Sequence, residues 1–104
     1  MNDTLTTLAP PTISTDVQSF AADRGVGRYL QGIIDLTRQS FPASVIHVSL
    51  EHDAEDEKHK YIALDVEAGD LTTEQLLSGQ RRWSAGVRRV CPSRDVVFFV
   101  LGWR

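Results

Sequence analysis

The stretch EHDAEDEKHK, Glu51 to Lys60, places two histidines and five acidic side chains within ten residues. These residue types bind zinc and carry general acid–base catalysis. Zinc requires three or four ligands converging on one point, so the positions of His52 and His59 matter more than their number. The flanks of the stretch alternate. Ile46, Val48 and Leu50 oppose Val45, His47, Ser49 and Glu51, while Ile62, Leu64 and Val66 oppose Tyr61, Ala63, Asp65 and Glu67. That pattern describes two half-buried strands joined as a hairpin. Directly opposed residues of an antiparallel pair share a face, so matching the two apolar triplets makes every opposed pair of numbers sum to an even value. His52 and His59 sum to an odd one. Without a bulge they fall on opposite faces, so no metal is expected and the acidic tip reads as solvated surface.

The same rule singles out His47. A register summing to 112 sets it opposite Asp65, and a shift by two sets it opposite Glu67 or Ala63. A histidine oriented by a carboxylate can act as a general base or as a contact that titrates near neutrality; it can equally be a cross-strand ion pair, which is the expectation here. Cys91 lies among Arg88, Arg89 and Arg94, where positive charge favours thiolate, yet no second cysteine or positioned base accompanies it. A packed thiol is expected. Arg81 with Arg88, and Arg82 with Arg89, are spaced by seven and form a basic ridge able to follow a phosphate backbone, to dock on an acidic partner, or to remain solvated. Gly25 and Gly27 begin a G-x-G pattern, but Leu30 stands where a third glycine belongs and no strand precedes it. It is no dinucleotide fingerprint, and no cofactor is expected.

The elements that hold these groups follow from periodicity. Val26, Leu30, Ile33, Thr37 and Phe41 form one helical face, ended by Pro42, with Arg28, Gln31, Asp35 and Arg38 turned away. Thr15 with Gln18 three residues on is a candidate capping box for an earlier start. Thr72 and Gln75 form a second such box, opening a helix whose apolar face is Leu76, Gln80, Trp83, Val87 and Val90. Gly79 and Gly86 lie beside that face and allow close packing. DVVFFVLGW, from Asp95, closes the chain as a strand that is apolar on both sides. Residues 1–15, rich in Thr and Pro, read as an N-terminal arm, and residues 16–104 as a single domain. The expected fold is α+β, a two-layer sandwich in the order α-β-β-α-β. Its two helices cover one face of an antiparallel three-stranded sheet of order 2-1-3, as in a ferredoxin-like fold lacking its first strand.

A chain of 104 residues, 41% hydrophobic and 24% charged, suits one globular domain. Its net charge of −3 argues against a dedicated nucleic-acid binder. The charge is unevenly spread: residues 51–70 hold eight acids and two lysines, whereas residues 71–104 hold six arginines and two acids. A single cysteine and the lack of a signal-peptide pattern suggest the cytoplasm, and no membrane association is expected.

The succession FPASVIHVSLEHDAEDEKHKYIALDVE, a capped helix containing Trp83, the pair Cys91-Pro92 and a terminal apolar strand resembles a family of small prokaryotic proteins over residues 26–104. The resemblance implies the fold above and a role as a small accessory or antitoxin-like subunit. It implies no catalytic residue. The final strand carries the functional expectation, since Val96, Phe98 and Val100 alternate with Val97, Phe99, Leu101 and Trp103 and the helices can cover only one set. Each such side chain is worth about 1.5–3 kcal/mol when buried. The second set is therefore expected to be covered by a second copy, by a partner protein or by the N-terminal arm. The expected function is a non-enzymatic interaction module. Nucleic-acid association through the arginine ridge and an enzyme using His47 or Cys91 are the alternatives.

Overall fold

The computed structural model describes residues 11–104. Three helices and a three-stranded sheet succeed one another as α1 (Thr15–Asp23), α2 (Gly27–Ser40), β1 (Ile46–Asp53), β2 (Asp56–Val66), α3 (Thr73–Val90), a 3-10 turn at Val96–Phe98 and β3 (Phe99–Trp103). The α-β-β-α-β order is present, preceded by one further helix. The first ten residues of the expected arm lie outside the described residues, and Ile13 packs against the core. Among the described residues no helix is long and apolar enough to cross a membrane.

The extra helix arises where the apolar pattern breaks. Val17, Phe20 and Ala21 form a short buried face of their own, and the chain then turns through Gly25 at φ 71°, in the left-handed region that glycine enters freely. Ser14, rather than Thr15, stands at the helix cap, and Gln18 spends its side-chain amide on the Ile13 carbonyl. No capping box forms there. In α2 all five residues of the expected face, Val26, Leu30, Ile33, Thr37 and Phe41, are buried. The α3 box is complete: Gln75 N–H donates to Thr72 Oγ1 and Thr72 N–H donates to Gln75 Oε1. On α3 Trp83 and Val87 are buried, but Gln80 is exposed and Gly79 takes the inward position.

The sheet order is β1-β2-β3, with β1 antiparallel to β2 and β3 parallel to β2. This corrects the wholly antiparallel 2-1-3 sheet. A central strand is packed on both flanks, and β2 meets that demand with Ile62, Ala63 and Leu64 all buried, including the outward-facing Ala63. The outward residues of β1 are His47, Ser49 and Glu51, which favour an edge position. The 18 residues of α3 supply the crossover that a parallel pair requires.

The helices pack on the face formed by Ile62, Leu64 and Phe99, with Trp83, Val87 and Cys91 in the same cluster. α2 and α3 approach closely. A methyl group at Gly86 would stand 2.7 Å from Leu36 Cδ1, and one at Gly79 would collide with the Phe41 ring. Both glycines therefore serve packing. Trp83 Nε1 donates to Thr37 Oγ1 at 3.0 Å, and that hydroxyl donates to the Ile33 carbonyl at 2.7 Å. Two polar groups thus enter the core with their hydrogen bonds made.

Candidate functional site

β3 is five residues long, not nine, because Val96–Phe98 coil into the 3-10 turn. That turn changes which residues face outward. Phe99 is 3% exposed and belongs to the core, Leu101 packs on both core clusters, and Trp103 sets its ring edge-on to Phe41 at 5.4 Å. The expected outward set of Val97, Phe99, Leu101 and Trp103 is corrected accordingly: its last three members face the helices. Val97, in the turn, is 61% exposed, Val100 on the opposite side of the strand 41%, and Trp103 at the rim 45%. The turn and Gly102 between them remove the second greasy face. Gly102 pairs with Asp65, and a side chain at Gly102 would collide with the Asp65 carboxylate.

The two sheet edges differ in kind. β1 carries Glu51, His52 and Asp53 at its far end and a register irregularity between His52 and Asp53, both of which discourage a further strand. β3 bears no charged residue between Phe99 and Trp103. Arg104 N–H donates to the Val66 carbonyl and the Arg104 carbonyl accepts from Ala68 N–H, so the even-numbered residues of this strand turn their backbone groups toward β2. Phe99, Leu101 and Trp103 turn theirs toward the open edge.

The hairpin register sums to 112 and pairs His47 with Asp65. The His47 side chain instead reaches diagonally, its Nε2 lying 2.5 Å from Glu67 Oε2. Asp65 is taken by Arg104, whose Nε donates to Asp65 Oδ2 at 3.4 Å. The two carboxylates near His47 are therefore divided between His47 and Arg104 on the uncovered sheet face. Beyond His52 the even-sum rule lapses, since the next pair is Asp53 with Asp56. His59 Nδ1 stands 4.0 Å from Asp53 Oδ2, and among the described residues no cluster of three or more His, Cys, Asp or Glu gathers as a metal site.

Cys91 is buried, and burial first, then the nearby Asp95 carboxylate, push its thiol upward from the usual range. The thiolate is disfavoured, despite the arginines beside it in sequence. Arg81, Arg82, Arg88 and Arg89 are all exposed on α3. They do not act as one unit: Arg82 donates to the Gln39 carbonyl at 3.3 Å, tying α3 to the end of α2. Arg88 and Arg89 occupy the last turn of α3, where cations complement the helix dipole. An open groove of about 960 Å³ runs beside Phe41, Leu71, Leu77, Arg81 and Arg82, and Glu74 also lines it. Sequence reasoning missed the groove and the Asp65–Arg104 pair, both of which join residues 30 or more apart along the chain. The glycine in an otherwise β-rich segment was the one local sign that a neighbouring side chain fills that space.

No family model, curated protein or solved structure matches this chain.

Proposed function

We propose that this protein is a non-enzymatic interaction module that accepts an extended strand of a partner along the open edge of β3. The contrast between the two edges carries the reading: one is blunted by acids and a register irregularity, whereas the other presents unmatched backbone groups flanked by Val97, Val100 and Trp103. Strand addition draws its affinity from main-chain hydrogen bonds and its specificity from alternate side chains. The test is co-purification of the tagged protein from its native cell, comparing the natural chain with Val100→Lys. Val100 is outside the core, so the variant keeps its melting temperature while a lysine obstructs the edge. Loss of the bound partner supports the reading, and retention of it by the variant refutes it.

A second reading rests on Arg81, Arg88 and Arg89, which have no hydrogen-bond or ion-pair partner among the described residues. Three free guanidinium groups on one helix suit a phosphate backbone. An electrophoretic shift abolished by replacing all three with alanine supports this reading, and a shift that survives the replacement counts against it.

A further inference from the structure

We infer that the strand completing the open edge is β3 of a second copy, aligned antiparallel about a two-fold axis beside Val100, so that two three-stranded sheets join as one of six strands. The inference rests on the interaction reading above and names its partner. Three observations support it. Among the described residues the N–H groups of Leu101 and Trp103 and the carbonyls of Phe99, Leu101 and Trp103 face the open edge unmatched, while the Phe99 N–H is already spent on the Val96 carbonyl. Reversal about Val100 faces Leu101 of each copy with Phe99 of the other, and both turn their backbone groups outward. The Leu101 N–H then meets the one group that Phe99 still offers, its carbonyl.

The side chains obey the same symmetry. Val97 and Trp103 lie three residues to either side of Val100, and these are the exposed large hydrophobic residues of this edge. The reversal sets the two Val100 side chains together, while Val97, in the turn outside the paired strand, and Trp103 stand at the two ends of the contact. Charge selects the direction. Asp95, beside Arg94, precedes the segment and Arg104, beside Asp65, follows it, so antiparallel alignment holds the two Arg104 side chains at opposite ends of the contact, whereas parallel alignment would set Arg104 against Arg104. A two-fold contact also uses up both open edges at once. Only the blunted β1 edges remain outside, and growth stops at two copies.

Sedimentation velocity of the full chain from about 1 to about 500 μM tests the pairing, since a five-residue edge gives a small, concentration-dependent contact. The expected result is a doubling of mass with rising concentration, with Val100→Lys weakening association roughly tenfold or more while the melting temperature of the dilute monomer is unchanged. Val100→Cys adds a test of alignment. Across the proposed axis the two new thiols oppose each other closely enough for a disulfide-linked dimer under mild oxidation, while the buried Cys91 leaves the natural chain unlinked. A monomer at every concentration, or a dimer indifferent to Val100→Lys, overturns the inference; a dimer that the Val100→Cys variant does not cross-link overturns the alignment. If the chain is monomeric but Val100→Lys still releases a co-purifying protein, the inference fails and the interaction reading stands. If the substitution changes neither, both fail.

Discussion

Thr37 shows how much one hydroxyl can hold. It is fully buried on α2, gives its proton to the Ile33 carbonyl and receives that of the Trp83 indole from α3. Thr37→Val keeps the shape but strands a buried indole N–H, and a group left in that state costs about 1–3 kcal/mol. Urea titration should show the midpoint falling with the slope unchanged. An unaltered midpoint would mean that Trp83 finds another acceptor. Cys91 makes a second prediction, this time of pH dependence. Its thiol is held protonated in the folded chain by burial and by Asp95. The unfolded chain, free of both, ionises near about pH 8.5. Below that value the thiol is neutral in both states, so its contribution is fully present. As pH rises beyond it, the unfolded state releases a proton that the folded state retains, and stability falls. Between about pH 8 and pH 10 this loss should be shallower for Cys91→Ala than for the natural chain, whatever the offset between the two curves. The same shift predicts slow labelling of the native thiol at neutral pH, rising to the free-thiol rate in denaturant.

At the scale of elements, the legible parts are those encoded within a few residues. The α3 capping box, the buried face of α2, the hairpin and the even parity of its pairing all follow from local spacing, because propensity, capping and apolar period agree there, whereas the choice of register among even sums does not. The illegible parts are those decided by distant partners. DVVFFV is rich in β-branched and aromatic residues and reads as strand throughout, yet its first half coils as the 3-10 turn that carries the Phe98 ring onto Phe20 of α1 at 6.0 Å. No residue within the segment announces that contact. The helix pair supplies the corresponding experiment. Gly86 sits where α3 crosses α2, and a methyl group there would press on Leu36. In an open helix Gly→Ala gains up to about 1 kcal/mol. Here the gain is outweighed, since overpacking a closed contact costs about 1–3 kcal/mol. Gly86→Ala should therefore lower the melting temperature, whereas Gly69→Ala, with nothing within 4 Å of the added group, should leave it nearly unchanged. Equal effects at the two positions would mean that α2 and α3 stand further apart than described.

For the whole molecule, the governing fact is which side of β3 meets the helices, because that choice joins the last residues of the chain to α1, α2 and α3 through one core. Sequence alternation identifies two candidate sides and cannot choose between them, since the phase is set by the 3-10 turn and by pairing with β2. Phe99 and Val100 are adjacent, so truncating each in turn reads the choice directly. Phe99, 3% exposed and in contact with the main cluster, should lose about 3–5 kcal/mol on replacement by alanine. That is a large share of the roughly 5–15 kcal/mol by which a domain is stable, and it should appear as partial unfolding at ambient temperature or as a melting point lowered by many degrees. Val100→Ala, on the uncovered side, should change monomer stability by no more than about 0.5 kcal/mol, as exposed substitutions generally do. Measurement at low concentration matters, because a paired edge would add its own stabilisation to the natural chain and exaggerate the cost of Val100→Ala. A reversal of the two effects would place Phe99 outside and Val100 within. Leu101 and Trp103 would then turn outward together with Phe99, the contact between Trp103 and Phe41 would be lost, and the sheet would present a continuous apolar face in place of an open edge.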